Sequence, residues 1–186
     1  MCNNNATMVS RTKKTNMTKT PFYLQFRDEH AKWVAHNFPN AKPHEPLLGI
    51  TEELGELVEA SLHCDYYKER DAVGDMLVYL THYCNIYMLD WIDCLEYRTE
   101  TTSVTSNLLD LITQLGKLAH AQLKGEQSIR HTAEQIYNMK RAAIGNLVLY
   151  LEHHCNVVGF NMMVCLEHTW NEVKERDWKK NNITGK

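Results

Sequence analysis

Residues 47–63 read LLGITEELGELVEASLH, and residues 108–124 read LLDLITQLGKLAHAQLK. Aligned at an offset of 61, the two stretches share seven identical residues. A second pair follows at an offset of 71, where residues 74–96 share nine identities with residues 145–167. This self-similarity indicates a tandem duplication of a helical hairpin. One amphipathic hairpin cannot bury its apolar face alone, so two related hairpins predict an all-α fold with a four-helix-bundle core, arranged as a pseudo-dimer.

The composition of the 186-residue chain supports this fold class. Only 8 Gly and 4 Pro argue against sandwiches and barrels, and the formal net charge of −3 argues against duplex nucleic acid as a partner. No run of 18 apolar residues is present, and residues 1–20 lack the apolar segment of a secretory signal. The six cysteines form no CxxC pair. We therefore expect no membrane partner, reduced thiols and a cytoplasmic location.

Apolar residues recur at helical spacing in five or six segments. These segments span about 22–37, 45–64, 67–96, 107–124, 132–158 and 160–178. The polar start predicts a disordered tail, and the polar stretch RTETTSVTS predicts a linker between the repeats. The resulting organisation is a tail over residues 1–20, a first repeat over 21–97, a linker over 98–106 and a second repeat with a basic C-terminal tail over 107–186.

The two repeats differ most in their acidic residues. The first repeat has five that the second lacks: Glu52, Glu53, Glu56, Asp71 and Asp75, aligned with Thr113, Gln114, Lys117, Ala142 and Asn146. Their spacings of three and four residues place each pair on one helix face, so the acids can converge across the hairpin. Oxygen-only ligands favour Mg²⁺, or Mn²⁺ in its place, and the chemistry implied is attack of water on a phosphoanhydride. The alternative is a solvated acidic face at a helix start.

The acidic motifs carry a family resemblance. EELGEL (52–57) followed by KERDAVGDMLVYL (68–80) resembles the EExxE…D/ExxxD signature of the MazG-like all-α nucleotide pyrophosphohydrolases, relatives of the dimeric dUTPases and of phosphoribosyl-ATP pyrophosphohydrolase. HNFPNAKPHEPLLGITEELGEL, LAHAQLKGEQSIRH and TWNEVKERDWKKN are similar to segments of short MazG-like proteins from bacteria and phages, so the resemblance covers about residues 25–181.

The resemblance implies that Glu53, Glu56 and Asp75 hold Mg²⁺ and that a nucleoside triphosphate is split into monophosphate and pyrophosphate. Many members place a fourth ligand at the position of Ala72, whereas Asp71 matches a DAxGD variant and could substitute on the same helix face. Glu52 would orient the attacking water or support a ligand, so we name Glu52 and Glu53 as catalytic.

Ten further residues are candidates for substrate contacts. Cations could neutralise phosphates, aromatic rings and polar groups upstream of the acids could hold a base, and two residues after Asp75 could contact sugar or base. In that order they are Lys68, Arg70, Lys174 and Arg176; Trp33, Asn37, Phe38 and His44; Tyr79 and Asn85. Each group also has a structural alternative: the cations could be solvated helix ends, and the aromatic and polar group could anchor the core or a loop. Tyr79 and Asn85 could serve packing, because they recur in the second repeat as Tyr150 and Asn156.

These features predict a Mg²⁺-dependent hydrolase of (deoxy)nucleoside triphosphates, serving nucleotide-pool control or house-cleaning. The second repeat would be a catalytically dead half that replaces the second subunit of a family dimer. A homodimer of such pseudo-dimers and a self-sufficient monomer both stay open. Two alternative functions also stay open: a regulatory module that binds metal and nucleotide without turnover, and a narrow dUTPase-type or dCTPase-type enzyme.

Overall fold

Six α helices account for most of the computed structural model, which describes residues 12–13, 17–95, 98–99 and 103–186. The predicted all-α class is confirmed. The helices are α1 (Pro21–Asn37), α2 (His44–Leu62), α3 (Tyr66–Ile86), α4 (Val104–Gln127), α5 (Ala133–Val158) and α6 (Met162–Val173). A 3₁₀ helix spans Ile92–Cys94, and the two-residue strands β1 (Thr12–Lys13) and β2 (Arg98–Thr99) pair antiparallel. None of the helices in these ranges combines the length and apolarity needed to span a bilayer.

The segment predicted over residues 67–96 is too long, because α3 ends at Ile86. Met88 adopts a left-handed backbone conformation with φ 52°, and the Leu89 N–H donates to the carbonyl of Cys84 at 2.9 Å. The same ending occurs at α5, where Gly159 has φ 85° and the Phe160 N–H donates to the carbonyl of Cys155 at 2.7 Å. The two helix ends are related by the 71-residue offset of the sequence repeat. The second helices of the two hairpins, α3 and α5, therefore end with the same backbone hydrogen bond.

The predicted tail and linker are described in part. Within the tail, the Lys19 ammonium lies 2.9 Å from Asp90 and 2.7 Å from Asp93, and Thr20 caps α1. Residues 1–11 and 14–16 of the predicted tail lie outside the described residues, as do residues 100–102 of the predicted linker. Ser103 caps α4, so this helix begins inside the predicted linker.

The helices pack as two hairpins with two additional helices. Helix α2 packs mainly on α3, and α4 on α5, while α1 and α6 both pack on α3. Aromatic side chains of α1 pack against the segment after α3 and against α6. Tyr23 lies edge-on to Trp91 at 4.8 Å, and Phe26 lies edge-on to Trp170 at 5.2 Å, between ring centres. All four are buried. This packing places α1, α2, α3 and the chain after α6 around one cavity.

Two glycines allow the repeats to exchange their C-terminal segments. A Cβ atom on Gly74 of α3 would lie 2.0 Å from Oγ1 of Thr169 and 2.9 Å from the carbonyl oxygen of Cys165, both on α6. A Cβ atom on Gly145 of α5 would lie 1.9 Å from the carbonyl oxygen of Cys94. Gly74 and Gly145 are 71 residues apart, as are Cys94 and Cys165. Each repeat therefore packs its final segment against the second helix of the other repeat.

We expect Gly145→Ala to destabilise the protein by about 1–3 kcal/mol or to prevent folding, because the added methyl group would collide with a backbone carbonyl. Gly116→Ala is the matched control, since Gly116 lies in α4 with open space around it. Alanine there should stabilise the helix by roughly 0.5–1 kcal/mol. Urea unfolding followed by circular dichroism measures both effects, and an equal response of the two variants would contradict the close approach.

Candidate functional site

A cavity of about 220 Å³ lies between α1, α2, α3 and the segment after α6. It contains six of the residues singled out from the sequence: Trp33, Phe38, Glu53, Asp75, Tyr79 and Arg176. It also contains five that sequence reasoning missed: His30, Val78, His82, Val173 and Trp178. The cavity therefore combines two carboxylates and a guanidinium group with aromatic walls.

The α2–α3 hairpin brings the two carboxylates of the cavity together. Glu53 stands on α2 and Asp75 on α3, and both are half-buried. Between the helices the chain reverses at Cys64, whose φ is 56°, and the Asp65 carboxylate then caps α3 by accepting from the Lys68 N–H at 3.2 Å. The apolar faces of both helices are buried in the core, which holds the two carboxylates on the same side of the hairpin.

Burial and repulsion between acidic groups keep these two carboxylic acids protonated up to a higher pH than usual. Burial first, and then the carboxylate of Asp75, raise the pKa of Glu53 to about 8. Burial and Asp71 raise the pKa of Asp75 to about 6, against the opposing effect of Arg176. Neither carboxylate accepts a hydrogen bond or forms an ion pair among the described residues. The two carboxylates therefore lack an ion-pair partner that would stabilise their ionised forms.

The second repeat shows what the same positions do without the charges. The counterparts of Glu53 and Asp75 are Gln114 and Asn146, and the Asn146 amide donates to Oε1 of Gln114 at 3.1 Å. Lys117, the counterpart of Glu56, donates to the same oxygen at 3.4 Å. The two positions thus lie within side-chain contact of each other. In the second repeat they form a neutral hydrogen bond, whereas in the first they bear two carboxylates.

The other predicted acids face solvent around the cavity. Glu52, Glu56 and Asp71 are exposed, and all three carboxylates contribute to the raised pKa of Glu53. Glu56 lines one adjoining groove with Lys68, and Asp71 lines another with Arg70. Across the described ranges, no three acidic, histidine or cysteine side chains are grouped closely enough to hold a metal ion as they stand. Like charges spread when no cation holds them together.

The donor set nevertheless suits a hard divalent cation. Glu53 and Asp75 supply carboxylate oxygens at adjacent positions, and the exposed side chains of Glu56 and Asp71 can rotate toward them. A bound cation would relieve the repulsion that raises the pKa of Glu53 and Asp75. These four residues are the ones that could hold Mg²⁺.

Trp33 and Asn37, both predicted to contact a base, form hydrogen bonds with the C-terminal segment. The Trp33 indole N–H donates to the carbonyl of Arg176 at 2.8 Å, and its ring lines the cavity. Oδ1 of Asn37 accepts from the Trp178 N–H at 2.7 Å, and its Nδ2 donates to the carbonyl of Trp33 at 3.1 Å. Both ends of the Asn37 amide are therefore engaged within the chain, and Asn37 does not line the cavity. Its bonds instead place Arg176 and Trp178 beside the cavity.

Three predicted cations lie outside the cavity. Lys174 donates to Oδ1 of Asn171 at 2.9 Å, and the Lys68 ammonium lies 3.9 Å from Asp65. The Arg70 guanidinium covers the ring of Phe160 at 5.7 Å. Of the four predicted phosphate-binding cations, the fold brings Arg176 alone into the cavity.

His44 and Asn85 also serve other contacts. Nδ1 of His44 lies 3.4 Å from Oε1 of Glu126, on α4. Oδ1 of Asn85 accepts from Arg27 at 3.4 Å, and its amide nitrogen lies 3.4 Å from Nδ1 of His30. Asn85 thus contacts the ring of His30, which lines the cavity, but Asn85 itself does not line the cavity.

The two histidines of the cavity are neutral. Burial, followed by the repulsion that a protonated His82 would exert, lowers the pKa of His30 to about 3, and burial lowers the pKa of His82. Nε2 of the fully buried His30 has no hydrogen-bond partner among the residues that the structure describes. His82 follows Asp75 by seven residues, a spacing that returns to the same helix face. That spacing could have identified His82 from the sequence.

Comparisons of the chain with protein-family models, with curated proteins and with solved structures find no match. The chemistry of the site therefore has to be argued from its own side chains. Aromatic rings from Trp33, Phe38, Tyr79 and Trp178 can enclose a flat ring, and Arg176 can bind an anionic group. The carboxylate pair beside Arg176 can bind a cation.

We expect the double variant Glu53→Gln/Asp75→Asn to be more stable than the wild-type protein without metal, by roughly 1–3 kcal/mol. The substitutions remove the repulsion and reproduce the amide pair Gln114–Asn146, which makes a direct hydrogen bond. Thermal unfolding at pH 8 in chelator measures the effect. The reverse exchange, Gln114→Glu/Asn146→Asp, is the control and should destabilise the protein; stabilisation by both exchanges would contradict the assignment.

The contribution of Glu53 to the stability of the metal-free protein should fall as the pH rises through the interval from 4.5 to 8. In that interval the unfolded chain loses the proton of Glu53 at its ordinary pKa of 4.5, while the folded chain keeps it up to about 8. The difference in free energy of unfolding between wild type and Glu53→Gln isolates this contribution from other titrations. A difference that is constant from pH 5 to pH 8 would contradict the raised pKa.

Proposed function

We propose that this chain is a MazG-like, Mg²⁺-dependent pyrophosphohydrolase of (deoxy)nucleoside triphosphates that releases the monophosphate and pyrophosphate. The observation that carries the proposal is the cavity in which Glu53 and Asp75 stand beside Arg176 between aromatic walls. A nucleoside triphosphate consists of a flat base, a sugar and a chain of anionic phosphate groups that binds Mg²⁺. The cavity has aromatic rings that suit the base, a guanidinium group that suits the phosphates and carboxylates that suit the cation.

The aromatic walls support binding of the base. Trp33 lies edge-on to Phe38 at 5.5 Å between ring centres, and Phe38 is stacked with His82 at 6.4 Å. Rings at such distances form a flat, apolar slot in which a base can stack. The neutral His82 and His30 rings at this slot can exchange hydrogen bonds with a base edge without adding charge. Base preference therefore depends on these side chains.

The acids support binding of the triphosphate through its cation. We propose Glu53, Glu56, Asp71 and Asp75 as the residues that hold Mg²⁺, with Mn²⁺ as a substitute. When bound, Mg²⁺ supplies positive charge that polarises the phosphoryl oxygens and makes water a better nucleophile. Arg176, which lines the same cavity as Asp75, can donate hydrogen bonds to a phosphate oxygen. Glu52 adjoins Glu53 in sequence and is exposed, so it can orient a water molecule at the rim.

The second repeat supports a single active site per chain. Gln114 and Asn146 satisfy each other, and Lys117 adds a positive charge where the first repeat has Glu56. This arrangement has no carboxylate for a cation. We propose that the second repeat serves as a scaffold in place of a second subunit, in a cytoplasmic monomer or in a homodimer of pseudo-dimers.

A regulatory module that binds metal and nucleotide without turnover is the second candidate. It is favoured by the spread of the acids, since no three potential ligands are grouped in the described part of the chain. A narrow dUTPase-type or dCTPase-type activity is a special case of the first proposal. Product analysis separates turnover from binding alone, and a screen of substrates that includes dUTP separates a narrow enzyme from a broad one.

We expect the purified protein to convert at least one ribo- or deoxynucleoside triphosphate to monophosphate plus pyrophosphate in Mg²⁺ and not in chelator. Glu56→Gln should lower kcat by about 100-fold or more while leaving the fold intact, because Glu56 is exposed. Ion-exchange chromatography of the products, with all eight common substrates, measures both.

Lys117→Ala is the matched control at the equivalent position of the second repeat, and it should retain full activity. An equal loss in Lys117→Ala would contradict the assignment of an inactive half. Release of diphosphate and phosphate would contradict the reaction class. Metal-dependent binding of a nucleotide without any turnover would favour the regulatory module.

A further inference from the structure

A second and larger cavity, of about 540 Å³, lies at the far end of the second hairpin. The turn between α4 and α5 forms its floor, and Tyr87, which follows α3, forms one wall. Its volume falls in the range of about 300–1,000 Å³ that small-molecule sites occupy. None of the residues that line the first cavity lines this one.

Lys140 is the unusual residue of this cavity. The residue is only 4% exposed, and its ammonium lies 3.6 Å from the ring centre of Tyr87. It has no hydrogen bond or ion pair among the residues that the structure describes. Burial lowers the pKa of this amine to about 8. A buried ammonium that faces the rings of Tyr87 and Tyr83 and forms no ion pair among the described residues lacks the directly bound anion that such a charge favours.

The nearest acid does not supply that anion. The carboxylate of Glu126 accepts from Nε2 of Gln122 at 2.8 Å and lies 3.4 Å from Nδ1 of His44. Oε1 of Gln122 in turn accepts from the hydroxyl groups of Tyr83 and Tyr87. This network holds the Glu126 carboxylate in the wall of the cavity, where it attracts the ammonium but forms no ion pair with it.

The first repeat fills the equivalent position differently. Lys140 corresponds to Glu69 at the 71-residue offset, and Tyr83 corresponds to His154. Glu69 is 2% exposed, and its carboxylate lies 3.8 Å from Nε2 of His154. The first repeat therefore buries an acid beside a histidine ring, and burial lowers the pKa of that histidine to about 4. The second repeat buries a base that forms no ion pair with any acid of the described residues.

We propose that this second cavity binds a small organic anion, whose single carboxylate or phosphate group pairs with Lys140 and whose flat body packs between the rings of Tyr87 and Tyr137. Lys124, His131 and Ser128 also line the cavity and suit an anionic ligand. The carboxylate of Glu126 lines it too, where it contacts Gln122 and His44. Ile136 and Pro43 supply apolar wall, so a bare inorganic ion would leave most of the cavity unfilled. The site is separate from the proposed catalytic site and does not depend on it.

Calorimetric titration tests the proposal with two probes, benzoate for a carboxylate and thymidine monophosphate for a phosphate. We expect at least one of them to bind to the wild-type protein in chelator. Lys140→Met keeps the length of the side chain and removes its charge, so it should weaken binding about tenfold or more. Lys117→Met, on α4 and away from the cavity, is the control and should bind as the wild type does.

A measurement on the wild-type protein covers the case in which Lys140→Met does not fold. Cyanate carbamylates neutral amines, and peptide mass spectrometry reports the rate at each lysine. The bound probe should slow carbamylation of Lys140 several-fold and leave that of Lys117 unchanged, which a purely structural lysine would not show. Protection by benzoate alone or by thymidine monophosphate alone identifies the anionic group; no binding of either probe, or binding that persists in Lys140→Met, overturns the proposal.

Discussion

The approach of two glycines to facing backbone segments is the contact on which the arrangement of the chain depends. Gly74 admits α6 to the surface of α3, and Gly145 admits the segment around Cys94 to the surface of α5. Because the contacts are reciprocal, neither hairpin completes its own core. The segment that follows α6 is thereby placed beside α3 and α2. Arg176 and Trp178 reach the candidate site by this route, far in sequence from Glu53 and Asp75.

Within this framework, the two halves show opposite solutions to the same local problem. Polar side chains that face each other across a hairpin can form a hydrogen bond, as Gln114 and Asn146 do, or have no hydrogen-bond partner among the described residues, as is the case for Glu53 and Asp75. Acidic groups left unpaired in this way reduce the stability of the protein, a pattern typical of functional sites. Lys140 is the corresponding case in the second half, a buried basic group without an ion-pair partner among the described residues.

Much of the fold could be predicted because helical periodicity and internal repetition are properties of the sequence itself. Five or six segments were expected, and the described residues form six helices. The end of α3 could not be foreseen from Met88, because methionine does not favour the left-handed conformation that it adopts there, whereas its counterpart Gly159 does. For the site, spacing identified Glu53 and Asp75, and the family resemblance of the C-terminal stretch favoured Arg176. The role of Asn37 and the contributions of His30 and Trp178 depend on tertiary contacts between α1 and the C-terminal segment, which no local pattern encodes.

The presence of both hairpins in one chain has a consequence for how such a protein can change. In a symmetric homodimer, every substitution occurs at both equivalent positions, so a residue harmful at one copy is harmful at two. Here each substitution occurs once. An acidic pair can persist in one half while amides replace it in the other, and Glu69 can coexist with Lys140. Because both halves lie in one chain, equivalent surfaces of the two repeats can differ in sequence without affecting each other.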